Sequence, residues 1–149
     1  MDMEKSVIIS IHAVQRPTFG ENDEMELVTQ GTLGPEGDGY ALRYLESELT
    51  GLEGTTTTFR IHKDKITLQR EGTLNSEMVF QEGLRHISLY ETPYGGLTLE
   101  VQTRTAKADI SPSGGDLEIR YTLDVENQRV GENLFQIHVT EPQQGSLRC

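Results

Sequence analysis

Arg70 lies two residues after Leu68 and four after Ile66, so on an extended strand the three side chains point the same way. A guanidinium on an apolar face must find a partner, because a buried charge left uncompensated is strongly destabilising. The sequence offers carboxylates and phenols for that purpose. Glu91 continues the alternation of Arg85, Ile87 and Leu89, while His86, Ser88 and Tyr90 share the other register, which leads towards Tyr94. Tyr44 belongs to a further aromatic-bearing alternation, Tyr40, Leu42, Tyr44 and Glu46. A paired arginine ringed by tyrosine and threonine in an apolar cup is what an anionic small ligand uses. Arg70, Tyr90, Tyr94 and Tyr44 are therefore the candidate ligand-lining residues. The plainer account is a structural Arg-Glu or Arg-Tyr pair closing one end of a barrel. What separates the two is whether the four side chains converge on one cavity.

Other chemistries have weaker support. His12, His62, His86 and His138 are the only imidazoles, and none shows the close spacing of metal-ligand motifs, so solvated or hydrogen-bonded surface histidines are expected and no metal site is assigned. No Gly-x-Ser-x-Gly elbow is present, and serine, histidine and aspartate combinations carry no information without geometry, so no catalytic residue is assigned. The glycine-rich run Gly34 to Gly39 contains Glu36 and Asp38 and lacks lysine, which makes it a turn and not a phosphate cradle. Glu46 and Glu48 share a face, as do Glu24 and Glu26. Such pairs can share a proton or bind a cation, but a solvated acidic face explains them equally well. No cofactor motif appears. Cys149 stands alone in a polar end and cannot form an internal disulfide.

The bulk properties exclude whole classes of partner. The formal net charge of −11 repels nucleic acid and anionic membrane, and the 13 basic residues are scattered without a run. No spanning length of apolar residues occurs, and the opening Met1-Asp2-Met3-Glu4-Lys5 does not resemble a secretory leader. A cytoplasmic protein with no nucleic-acid or membrane partner is expected. At 149 residues one core suffices, and an apolar content of 34% suits strands that bury one face each.

The elements that must position these residues are strands. Short alternating runs, Thr57-Phe59-Ile61, Ile66-Leu68, Met78-Phe80, Ile87-Leu89 and Leu97-Leu99-Val101, are separated by Lys-Asp, Glu-Gly and Pro-Tyr-Gly turns, which is the pattern of a meander. Thr55 to Thr58 are poor helix formers that suit a pleated ladder. Glu82-Gly83 predicts a tight hairpin, Thr92-Pro93-Tyr94-Gly95 a four-residue turn, and Asn127-Gln128 another turn. Ala106 to Ile110 reads as a short edge strand stopped by Pro112 and Gly114-Gly115. Asp116 to Val125 alternates cleanly, with Leu117, Ile119, Tyr121, Leu123 and Val125 inward, and the last strand offers Phe135, Ile137 and Val139. The fold expected is all-β: a single antiparallel up-and-down barrel of about eight to ten strands over residues 1–142, with a flexible polar tail at 143–149.

Arg70-Glu71-Gly72, Ser76 to Gly83 and Tyr90-Glu91-Thr92-Pro93-Tyr94-Gly95 together resemble a bacterial family known as a domain of unknown function, DUF1934, with the strands from Leu117 to Asp124 and Asn133 to Thr140 falling where that family's closing strands fall. The resemblance is most specific from Gly54 to Gly95. It implies a calycin-like, lipocalin-like barrel in a bacterial cytoplasm and implies no reaction. Two functions follow as expectations. One is non-enzymatic binding of a small, partly apolar or anionic ligand in the barrel. The other is a filled, structural barrel whose surface or open edge, near Ala106 to Ile110 and a bare Leu134, mates with another protein or with a second copy as a homodimer.

Overall fold

The computed structural model describes residues 4–73, 75–92 and 94–142. The expected tail at 143–149, with Cys149, and Pro93 of the expected turn lie outside the described residues. Among the described residues every regular element is a strand: β1 (Lys5–Pro17), β2 (Asp23–Glu36), β3 (Gly39–Leu45), β4 (Thr55–His62), β5 (Lys65–Gly72), β6 (Ser76–Phe80), β7 (Arg85–Thr92), β8 (Gly95–Ser111), β9 (Gly114–Val125) and β10 (Gln128–Thr140). They form one antiparallel sheet in the order β6-β5-β4-β3-β2-β1-β10-β9-β8-β7. Neighbours in sequence are neighbours in the sheet, and the first and last strands pair, Ile8–Pro17 against Gly131–Thr140. The chain is thus an up-and-down barrel, nearly closed.

Period-two burial shows which faces turn inward. Val7, Ile9 and Ile11 of β1, Phe59 and Ile61 of β4, Ile66 and Leu68 of β5, Leu117, Ile119 and Tyr121 of β9, and Ile137 and Val139 of β10 are all buried. Residues directly opposite across a ladder share a face, so these sets lock one another's register, and a one-residue slip would expose the whole core side of a strand. The β9–β10 turn is Glu126-Asn127, one residue earlier than expected. Both residues have positive φ, 50° and 68°, the two-residue geometry that matches strand twist.

The seam between β6 and β7 differs from the tight hairpin expected at Glu82-Gly83. Among the described residues no ladder joins these strands. Instead the connecting turn bonds onto β8: Gly83 N–H donates to the Thr103 carbonyl (3.0 Å), and Thr103 N–H donates to the Leu84 carbonyl (3.1 Å). A further bond, Leu84 N–H to the Gln81 carbonyl (3.0 Å), stays within the turn. Phe80 of β6 packs its ring 4.8 Å from that of Tyr121 on β9.

Three other expectations change. Gly34 and Pro35 belong to β2 and pair with Ala41 and Tyr40, so the turn is confined to Gly37-Asp38. Proline is tolerated there because β1 stops at Lys5, opposite Leu33, and β2 then has a neighbour on one side only. Ala106 to Ile110 is not a separate strand but the second half of β8, carried past a bulge between Thr103 and Thr105. It remains an edge, since β7 reaches only Gln102. Leu134 is half-buried and not bare, because Val14 and Arg120 flank it across the ladder.

Because Phe80 is fully buried and packs across the barrel on Tyr121, Phe80→Ala is expected to cost about 3–5 kcal/mol, the range for deleting a fully buried aromatic ring. Urea unfolding followed by circular dichroism measures it, and a loss below about 1 kcal/mol would mean that this ring does not hold β6 onto the core.

Candidate functional site

One end of the barrel is open because two adjacent strands differ in length. β2 runs 14 residues from Asp23, whereas β3 has seven and stops at Leu45. The β2–β3 ladder ends at Thr32 opposite Arg43, so the first part of β2 has no β3 beside it. The segment 46–54 lies at this mouth, and beneath it is a cavity of about 670 Å³. Met25, Ala13 and Phe135 form part of its lining, and they sit side by side across β2, β1 and β10.

Two rows of inward-facing side chains frame the mouth above these residues. On one wall the ladders place Tyr44, Thr57, Arg70 and Ser76 in line across β3, β4, β5 and β6. On the other they place Asp23, Gln15, Asn133 and Tyr121 in line across β2, β1, β10 and β9. Tyr90 of β7 completes the lining.

Glu46, two residues beyond Tyr44, turns into the first wall, and its side chain is 2% exposed. Both of its oxygens are engaged. The Thr57 hydroxyl donates to Oε2 in a short bond, and the Thr50 hydroxyl donates to Oε1 at 2.8 Å. Arg70 is 19% exposed at its side chain, and its Nε lies 4.0 Å from Glu46 Oε2. That distance supports charge attraction but is too long for a hydrogen bond. Arg70 Nε is in fact buried without a hydrogen-bond partner. A buried charged donor left unbonded is costly, and native structures rarely keep one without a reason.

Two phenols of this region, those of Tyr44 and Tyr121, are held neutral. Burial pushes the Tyr44 phenol far above its usual range and the charge of Glu46 adds to the effect, with Arg70 acting in the opposite direction. Burial pushes Tyr121 up to about 12, again opposed by Arg70. A folded-state value above the unfolded one stabilises the protein fully below about pH 10, the ordinary tyrosine value, and this contribution is lost as pH rises through about 12.

Of the four residues singled out from the sequence, Arg70, Tyr44 and Tyr90 line this one cavity. Tyr94 does not: it stands on the β7–β8 turn with 99% exposure, past the end of the strand whose alternation would have aimed it inward. The pairing of Glu46 with Glu48 also dissolves, since β3 ends at Leu45, Glu46 turns in and Glu48 stays exposed. Glu46 and Tyr121 were legible as members of inward alternations. Asp23, Gln15 and Asn133 were not, because only the register across β2, β1 and β10 brings them together.

A larger depression, about 720 Å³, crosses the outside of β2, β1, β10, β9 and β8. Its histidines and the groups beside them are engaged with one another. His12 contacts Glu24 at 2.5 Å and Gln136 at 3.1 Å, Gln136 donates to Glu118 at 3.3 Å, and His138 contacts Asp116 at 2.7 Å. Of the remaining histidines, His62 bonds Asp38 and Glu36 and His86 bonds Gln81. Among the described residues no three His, Cys, Asp or Glu side chains converge as a metal site. The mouth, with its unbonded arginine nitrogen, is the better candidate.

The model of the family described as a domain of unknown function, DUF1934, matches residues 9–137. The chain therefore belongs to the DUF1934 family. A comparison with curated protein sequences returns no match. Among solved structures the chain is similar to the crystal structure of the ywiB protein from Bacillus subtilis, with 19% identity over 95% of this chain and 94% of that one and a TM-score of 0.81. At that identity the likeness shows the shared barrel alone.

Glu46→Ala is expected to destabilise the protein by about 3 kcal/mol, since it strips the buried guanidinium of its counter-charge. Adding Arg70→Met in the same chain is expected to recover part of that loss, measured by urea unfolding. Additive or larger losses in the double variant would show that the two groups do not depend on each other.

Proposed function

We propose that this DUF1934 chain is a non-enzymatic binding module that holds a small, partly apolar molecule with an anionic end in the mouth cavity. The observation that carries this reading is Arg70: a guanidinium recessed in a concave, aromatic-lined cavity, with a counter-charge nearby but with its Nε unbonded. Tyr44, Tyr90 and Phe135 supply apolar surface for the body of such a ligand, and Arg70 supplies the donors for its anionic end. The barrel then acts in the calycin manner, as a cup filled at its base and open at one mouth. The family description names no reaction, and the recessed guanidinium in a concave cavity is what supports binding. The single cysteine suits a reducing compartment, and the reading places the binding in the cytoplasm.

A second reading, an interaction module, has one observation in its favour. Ile87 and Leu89 on the outer face of edge strand β7 are 67% and 59% exposed, beside a seam that carries no ladder.

Native mass spectrometry before and after denaturation discriminates the two. A co-purified small molecule, lost on unfolding, is the expected result, and Arg70→Met is expected to reduce its retention about tenfold or more, the loss of one charge-assisted contact. A bare monomer would count against the binding module, and a bare dimer would favour the interaction module.

A further inference from the structure

The two walls of the mouth have opposite electrostatic character, and Arg70, Asp23, Gln15 and Asn133 all line the same cavity. One wall presents Arg70, whose partner Glu46 is shielded: both carboxylate oxygens accept threonine hydroxyls and almost none of the side chain reaches solvent. The charge that a ligand can reach on this wall is therefore the guanidinium. The facing wall presents Asp23, Gln15 and Asn133 in one row. Asp23 uses Oδ1 to accept the backbone N–H of Glu24 at 3.0 Å, which leaves Oδ2 for another donor. Below both walls the surface is apolar, with Met25, Ala13 and Phe135.

We infer that the ligand is dipolar: a carboxylate seated on Arg70, a cationic or hydrogen-bond-donating group facing Asp23 and its neighbouring amides, and an apolar or aromatic body between. This narrows the ligand class of the small-molecule reading and rests on it. Each alternative meets a specific obstacle. A phosphate dianion adds two negative charges beside an Arg-Glu pair that is already neutral, in a chain of net charge −11. A simple cation would meet the guanidinium and cannot reach the shielded Glu46. A plain carboxylate would satisfy Arg70 but bring its own charge towards Asp23. A zwitterion of amino-acid type carries no net charge and matches both walls. It also accounts for the 4.0 Å gap: a small turn of the guanidinium brings Nε onto Glu46 Oε2 and leaves the terminal nitrogens in the planar fork that grips a carboxylate.

The protein contains no tryptophan, so an indole probe reports binding by its own fluorescence anisotropy without background from the chain. Four matched probes isolate the two ends: tryptophan, tryptamine without the carboxylate, indolepropionate without the ammonium, and indole alone. The wild-type protein is expected to bind tryptophan at least tenfold tighter than tryptamine and several-fold tighter than indolepropionate. Arg70→Met is expected to erase the first preference and Asp23→Asn the second, the latter at an exposed rim position where folding is undisturbed. Equal affinity for all four probes would overturn the inference while leaving the small-molecule reading intact. Tightest binding of indolepropionate, with no effect of Asp23→Asn, or of tryptamine, would overturn it in favour of a singly charged ligand. Binding of none would also overturn it, and the small-molecule reading would fall with it only if native mass spectrometry also finds a bare chain.

Discussion

The ladder between the first and last strands is the constraint on which the rest of this barrel depends. The ten strands form two runs, β1 to β6 and β7 to β10, which are neighbours in sequence at the β6–β7 turn but share no ladder there. What joins them into one sheet is the pairing of Ile8–Pro17 with Gly131–Thr140, across more than a hundred residues of intervening chain. Closing a loop of that length costs roughly 4 kcal/mol in entropy beyond a constant term, so the ladder forms only if many contacts arrive together. The backbones also approach closely at its end. A Cβ on Gly131 would stand 2.5 Å from the Arg16 carbonyl oxygen, and the Thr18 N–H bonds the Val130 carbonyl just beyond. The Gln15 and Asn133 side chains that form one wall of the mouth belong to this same ladder, so the geometry of the site and the closure of the fold have one origin.

The barrel is filled and hollow at once, and side-chain size decides where each applies. Phe59 and Phe135 meet edge to face at 6.3 Å, Phe80 and Tyr121 at 4.8 Å, and Tyr121 and Phe135 stack at 6.4 Å, so aromatic rings from both halves of the sheet occupy the middle. Ten strands enclose more width than short side chains can fill, and these rings take up the difference. Towards the mouth the inward residues change to Gln15, Asp23, Asn133 and Arg70, which are polar or charged and exposed or only part-buried, and β3 stops short of β2. The cavity follows from both features. It is a consequence of strand lengths and side-chain polarity at one end, not of a loosely packed core.

Much of this was legible in the sequence, and the limits have a common cause. Alternation alone put Arg70 on the face of Ile66 and Leu68, Tyr44 and Glu46 together, and Tyr121 inward, because side-chain direction along a strand has a period of two whatever the neighbours are. Turn chemistry located most strand ends. The β6–β7 hairpin was misread because local residues describe a turn but not which strand its hydrogen bonds will reach. Tyr94 was misread because alternation lapses at the strand end. Asp23, Gln15 and Asn133 come from three strands far apart in the chain, and their assembly is encoded only in cross-strand register.

The energetics of Arg70 and Glu46 do not follow from stability alone. Replacing a buried ion pair by apolar side chains of similar volume is often neutral or stabilising. The pair instead requires Thr50 and Thr57 to satisfy the carboxylate, and it leaves the guanidinium Nε unbonded. A purely structural pair would close that last contact, since a shift of about 1 Å suffices to bring 4.0 Å to hydrogen-bond length. An arginine held near its counter-charge but not consumed by it keeps donors available while its charge is partly neutralised. On the proposed binding reading this is the condition for gripping an incoming carboxylate reversibly, and the arginine sits at the edge between a packed aromatic interior and an open mouth.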